Sequence, residues 1–135
     1  MGRTAVLLFY CSTAWLGGPK LLNNLSPAEI AWVAGILEGE GTFCKSGSAH
    51  ARIKCRIEMR SRDADVINTL RRLTGVGVFG EVRRKRQPQH SPQFYWVVTR
   101  RDDIEALLLA LLPHMHTRRA EQMRLVLAGV AALRS

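Results

Sequence analysis

The stretch Trp32-Val33-Ala34-Gly35-Ile36-Leu37-Glu38-Gly39-Glu40-Gly41 puts two carboxylates at the end of an apolar, small-residue run, where nothing structural asks for them. Ahead of it, Ser26-Pro27-Ala28-Glu29 is a capping box with Pro at the first helical position. A helix therefore begins there with its entry amides satisfied, and is expected to run to about Glu38. Ala31, Gly35 and Gly39 recur every four residues on one stripe, a spacing that lets a second helix backbone approach closely. Ile30, Val33 and Leu37 form a second apolar stripe, suited to the chain's own core. A helix with two such faces is expected to serve two interfaces. Carboxylates near its C-terminus oppose the negative end of the helix dipole, which is destabilising unless a cation or a capping partner is present. Glu40, flanked by Gly39 and Gly41, is thus the candidate site acid, whereas Glu38 reads as structural, capping or pairing across an interface.

The remaining composition narrows the partner. The chain has 135 residues, 47% of them hydrophobic, enough for one ordinary core and so one domain. Its 20 Lys and Arg against 11 Asp and Glu give a formal charge of +9. That balance favours a polyanion, nucleic acid before membrane, since no long basic amphipathic helix is visible. The three cysteines, Cys11, Cys44 and Cys55, are odd in number and lack metal-ligand spacing, and read as reduced thiols. Residues 1–24 are expected to be a poorly ordered leader outside the fold. The run Thr4-Ala5-Val6-Leu7-Leu8-Phe9-Tyr10 is weakly like a signal peptide, but Cys11-Ser12-Thr13 interrupts it and no small-x-small cleavage site follows. The expected setting is cytoplasmic or nucleoid-associated, or an organelle matrix if organellar, and not secreted.

After the acidic run comes the clearest strand. Ala51, Ile53, Cys55, Ile57 and Met59 alternate with Arg52, Lys54, Arg56, Glu58 and Arg60, a period of two that sends one face to a core and the other outward. The outward face is almost wholly cationic and fits phosphates. Thr42 to Ser46 forms the partner strand with Gly47-Ser48 in the turn. Phe43 then points inward, Cys44 and Ser46 share the basic face, and Lys45 lies near an edge.

A second helix is expected over Ala64 to Leu73, capped by Ser61 or Asp63, with Val66, Ile67, Leu70 and Leu73 buried. Val78 to Arg86 and Gln93 to Thr99 read as a second hairpin around a loop with Pro88 and Pro92. In it Phe94, Trp96 and Val98 turn inward, opposite Gln93, Tyr95 and Val97. The tract Arg83-Arg84-Lys85-Arg86 at its tip favours phosphate contact. Asp102-Asp103-Ile104-Glu105 reads as a second capping box opening a third helix, which buries Ile104, Leu107, Leu108 and Leu111 until Pro113 stops it. A last helix runs from about Arg118 to Leu133. The fold class is therefore α+β, one four-stranded antiparallel sheet with helices on one face and an open, basic other face.

The run Val33 to Gly41 resembles the LAGLIDADG signature of homing endonucleases. It matches Ala, Gly and the final Gly, with Val, Ile, Leu and two Glu as conservative replacements and Gly39 for the second Ala. The element order is similar to that family's αββαββα plus a C-terminal helix, so the resemblance spans about 26–135 and implies a single domain over 25–135. Gly75-Val76-Gly77, Leu111-Leu112-Pro113 and Arg118-Arg119 add to it. Because one copy of the motif is present, the resemblance implies the single-motif type, a homodimer packed through Ala31, Gly35 and Gly39 with the acidic ends meeting at the centre of a DNA site.

The same resemblance implies a site-specific, Mg²⁺-dependent endonuclease cutting both strands of double-stranded DNA. Glu40 would hold the metal with the Gly39 backbone carbonyl and scissile phosphates, and Arg118 would stand where the family carries a catalytic Lys or Arg. Ser46, Arg52, Lys54, Arg56, Glu58, Arg83, Lys85 and Tyr95 are the candidate DNA contacts. The chain reads as freestanding or intron-encoded. Two alternatives stay open: an intron-splicing maturase on the same fold, the one case with an RNA partner, and a DNA-binding regulator without cleavage. Intact Glu40 argues against the maturase as the sole activity, and the regulator would be expected to carry a neutral residue at position 40 and an added helix-turn-helix, neither of which is seen.

Overall fold

The structure is a computed structural model that describes residues 24–48, 51–82 and 92–134. The expectations for residues 1–23, for the loop with Pro88, and for Arg83 and Lys85 lie outside them. The described elements run α1 (Pro27–Glu40), β1 (Thr42–Ser48), β2 (Ala51–Ser61), α2 (Ala64–Thr74), β3 (Val78–Val82), β4 (Gln93–Val98), α3 (Arg101–Leu111) and α4 (Thr117–Arg134), with a 3₁₀ turn at Leu112–His114. The sheet order is β1-β2-β4-β3 with every pairing antiparallel, so the strand read most clearly from sequence, β2, lies inside the sheet. This is the α+β architecture expected, with four helices over a four-stranded sheet. No helix among the described residues is long and apolar enough to cross a membrane.

Each element starts where local chemistry lets it. Ser26 Oγ accepts the Glu29 amide at 3.1 Å and Glu29 accepts the Ser26 amide at 2.9 Å, completing the capping box. These bonds to Ser26 hold the Glu29 carboxyl below its ordinary range. The helix outlasts the expected end at Glu38: the Gly41 amide still donates to the Leu37 carbonyl at 3.0 Å, so Gly39 and Glu40 remain helical. Helix α2 ends one residue late, at Thr74, with Gly75 left-handed at φ 69°, a conformation that costs glycine nothing. Neither Ser61 nor Asp63 caps its amides through a side chain; Ser61 Oγ instead accepts from the Asp63 amide. The second capping box does not form. Helix α3 starts at Arg101 behind Arg100, and Asp102 and Asp103 sit within its first turn, where they favour the dipole rather than cap it. Strand β1 continues past Ser46 through a register shift between Ser46 and Ser48, so Gly47 and Ser48 belong to the strand.

The pleat sorts the residues as their alternation predicts. Cys55, Ile57 and Met59 of β2 and Trp96 and Val98 of β4 are buried in one cluster with Val33 and Leu37 of α1, Ile67 and Leu70 of α2, Ile104, Leu107, Leu108 and Leu111 of α3, and Met123, Val126 and Val130 of α4. Phe43 packs against this cluster and pairs with Ile57. Fully burying such an aliphatic side chain contributes about 1.5–3 kcal/mol, so this one-sided core holds the helices on the sheet. Polar groups caught in it are satisfied: Trp96 Nε1 donates to the Val76 carbonyl at 2.8 Å and Thr74 Oγ1 to the Leu70 carbonyl at 2.8 Å.

Helix α4 crosses β1 and β2 at Gly129, where an added Cβ would lie 2.8 Å from Cys55 Sγ and 3.1 Å from Lys45 Cγ. In an open helix Ala is preferred to Gly by about 1 kcal/mol. Here contact outweighs propensity, and Gly129→Ala is expected to destabilise the fold by about 1–3 kcal/mol in urea unfolding. Combined with Cys55→Ala, it should cost less than the sum of the two single changes. A Gly129→Ala chain more stable than the parent would show that the helix does not seat this closely.

Candidate functional site

The C-terminus of α1 opens beside the outer face of the sheet. Glu40, its last residue, lines a shallow depression with Thr42, Glu58, Met59 and Arg60. The Glu40 side chain is exposed and makes no hydrogen bond or ion pair among the described residues. Helix α1 has no basic residue in its last turn, so the helix itself supplies nothing to offset that carboxylate.

Glu58, the second carboxylate of the depression, is committed elsewhere. It accepts from Arg60 Nε at 3.0 Å and pairs with Arg56 Nε at 3.4 Å, with 17% of its side chain exposed against 52% for each arginine. Exposed pairs of this kind add only about 0–1 kcal/mol, so their consequence is orientation: both guanidinium groups are held beside Glu58 on the open face through their Nε atoms. Arg52, Lys54 and Arg56 are all exposed and, by strand register, share that face with Ser46 and Cys44, which pair with Lys54 and Arg56. Tyr95 is half-buried on the same face, opposite Arg60 on one side and Gly80 on the other. Arg60 was visible in the alternation of β2, but its place beside Glu40 depends on the turn from α1 into β1, which carries no sequence signal.

The other acid of the motif is held by α4. The Glu38 carbonyl accepts from Arg119 Nε at 2.8 Å, and its carboxylate accepts the His116 amide at 3.4 Å and lies 3.3 Å from His116 Nδ1. Arg119 also donates Nη1 to Gln122 Oε1 at 3.0 Å and lies over the Phe43 ring, 5.9 Å from its centroid. Glu38 is therefore paired within the chain, as a structural role requires. Arg118, between these two anchors in sequence, is exposed, and its side chain has no hydrogen bond or ion pair among the described residues. His116 and Arg119 were not legible as site residues, because the bond that defines the cluster goes to a backbone carbonyl, which has no residue type.

Ala31, Gly35 and Gly39 lie on the outer face of α1, all exposed, and a Cβ added at Gly35 or Gly39 would meet nothing within 4 Å. Trp32 beside them is 37% exposed while Val33, Ala34 and Leu37 face the core. One of the two faces expected of this helix is thus filled and the other bare.

No protein-family profile and no curated protein sequence matches the chain. Solved structures do. The homing endonuclease I-CvuI, in complex with its target in the presence of calcium, superposes with a TM-score of 0.62 at 16% identity, over 77% of this chain and 66% of that one. The LAGLIDADG meganuclease I-AabMI, bound to uncleaved DNA, gives 0.64 at 13% identity, over 78% of this chain and 36% of that one. The homing endonuclease I-TnaI gives 0.56 at 19% identity, over 74% and 67%. The chain thus spans just under two thirds of I-CvuI and about a third of I-AabMI. At these identities the likeness is one of fold, and the fold of this chain is that of the LAGLIDADG homing endonucleases.

Proposed function

We propose that the chain is a site-specific endonuclease of double-stranded DNA, acting as a homodimer with Mg²⁺. The observation that carries this reading is a juxtaposition. A carboxylate with no partner among the described residues, Glu40, emerges from a helix with one exposed small-residue face and opens onto a sheet face bearing Arg52, Lys54, Arg56 and Arg60. An acid in a field of cations with no partner of its own is suited to a site whose other oxygens come from a phosphate ligand.

The donor set fits Mg²⁺ in that arrangement. Among the described residues no three His, Cys, Asp or Glu side chains come together as a metal cage. Mg²⁺ does not require one, since it keeps several waters and is commonly held by one or two carboxylates plus substrate phosphates. Glu40 and the Gly39 carbonyl are the residues that would hold it, because Glu58 is taken by two arginines. When bound, such an ion lowers the pKa of its water and offsets charge on the leaving oxygen. The chain supplies the rest. Arg118 donates to the phosphate oxygens as charge builds on them, while Arg52, Lys54 and Arg56, with Ser46 and Tyr95 on the same face, grip the backbone and base edges, joined by Arg83 and Lys85 from outside the described residues. Glu58 sets the arginines on either side of it. Two copies packed through Ala31, Gly35 and Gly39 would bring two acidic ends to one duplex, one for each strand.

Incubating the protein with a library of duplex sites, in Mg²⁺ or in chelator, tests the reading: cleavage in Mg²⁺ alone supports it. Binding without cleavage would favour a regulator, and preference for structured RNA a maturase. Glu40→Gln should lower cleavage by orders of magnitude while binding survives; a variant that cleaves like the parent would remove Glu40 from the chemistry. Changing Arg52, Lys54 and Arg56 to Ala should flatten the log–log salt dependence of binding by about 0.9 for each phosphate no longer neutralised. An unchanged slope would mean that the ribbon is only solvated. Gly35→Leu should separate the subunits by steric exclusion, and light scattering that finds the parent chain monomeric even on DNA would contradict the dimer.

A further inference from the structure

The residues before and after Thr117-Arg118 both reach the same point on α1. His116 approaches the Glu38 carboxylate through its backbone amide and Nδ1, and Arg119 donates Nε to the Glu38 carbonyl at 2.8 Å. Glu40 lies two residues beyond Glu38; Arg118 lies between the anchors. We infer that Arg119, seconded by His116, is a positioning residue that holds Arg118 in register with Glu40. This deepens the nuclease reading above and rests on it.

The part-buried Arg119 guanidinium is fixed from three directions: by the end of α1, by Gln122 one turn along α4, and by the Phe43 ring of β1. These three elements meet at the Arg119 guanidinium, which follows Arg118 directly in sequence and binds the carbonyl two residues before Glu40. Offsetting the negative end of a helix needs only a nearby positive charge, which a lysine supplies as well. Holding one helix end at a set orientation to another uses the planar fork, which a lysine lacks. The bond to Gln122 and the contact with Phe43 belong to the second task. Arg118 and Glu40, by contrast, have no partner among the described residues, so their relative placement is inherited from their anchored neighbours.

The test uses the full chain and a duplex that it cleaves, with single-turnover cleavage and DNA affinity measured on the same preparations. Arg119→Ala should slow cleavage by about 10²-fold, the scale of a small misplacement of reacting groups, with affinity for the duplex unchanged. Arg119→Lys should keep the parent's thermal stability yet recover only part of the rate. In an Arg118→Ala background, Arg119→Ala should cost nothing more, because the group that it positions is gone. Losses that multiply in the double variant, or full recovery by Lys, would overturn the inference. Amide hydrogen exchange without DNA gives a readout independent of cleavage. Arg119→Ala should speed exchange at Gly39 to Gly41 and in the first turn of α4 while the centre of β2 stays protected, and unchanged exchange at Gly39 to Gly41 would refute the anchor itself. A parent chain that cleaves no duplex would refute the nuclease reading, and with it the catalytic consequence, while exchange still decides whether the anchor exists.

Discussion

A helix C-terminus gathers carbonyl dipoles, and a carboxylate placed there adds like charge to like. The end of α1 carries two, and much of the surrounding structure answers that constraint. One acid is partnered from within: Arg119 takes the Glu38 carbonyl, His116 approaches its carboxylate, and α4 is thereby tied to α1 across 81 residues of sequence. The other, Glu40, has no such answer among the described residues: Arg60 lines the same depression, but Glu58 holds the Arg60 Nε.

The sheet separates the two demands of folding and binding by its pleat alone. Strand β2 pairs with both β1 and β4, so its inward residues, Cys55, Ile57 and Met59, sit in the core while Arg52, Lys54, Arg56 and Arg60 share the opposite face. Like charges at alternate positions of one strand repel, and a fold needing only solubility would gain from mixing their signs. Glu58 provides the one mixed position, at the acidic end of the row. The repulsion left uncompensated lies toward Arg52 and Lys54, away from Glu40.

Legibility followed the range of the interactions. Period-two alternation over Ala51 to Met59, the face shared by Cys44 and Ser46, and the Ser26 to Glu29 capping box were readable because each is local: side chain against solvent, or a bond three residues long. The end of α1 lies two residues past the expected Glu38, because the Gly41 amide still reaches the Leu37 carbonyl and no side chain marks that bond. The box at Asp102 failed for the opposite reason, since the residues suit a cap but the helix begins ahead of them at Arg101. The continuation of β1 through Ser48 depends on pairing with Ala51 past an irregular register, which a turn-like Gly47-Ser48 hides. Of the candidate site, Glu40 and the basic ribbon could be seen from spacing, whereas Arg119 and the approach of Arg60 to Glu40 exist only once elements distant in sequence are packed.

The bare face of α1 ties assembly to charge. With nothing within 4 Å of a Cβ at Gly35 or Gly39, the described residues leave room for a second helix, yet two copies would each bring a formal charge of +9 and a Glu40 without a partner among those residues. In the proposed dimer both terms oppose association in water: the cationic sheets repel across the complex, and the two Glu40 carboxylates repel at its centre. A duplex relieves the first and a divalent cation at its phosphates the second. By linkage, whatever these ligands contribute to dimerisation, dimerisation returns to their binding. A small-residue stripe that packs closely but buries little apolar surface is suited to that coupling, because an interface strong enough to form alone would hold the acidic ends together before there was anything to place between them.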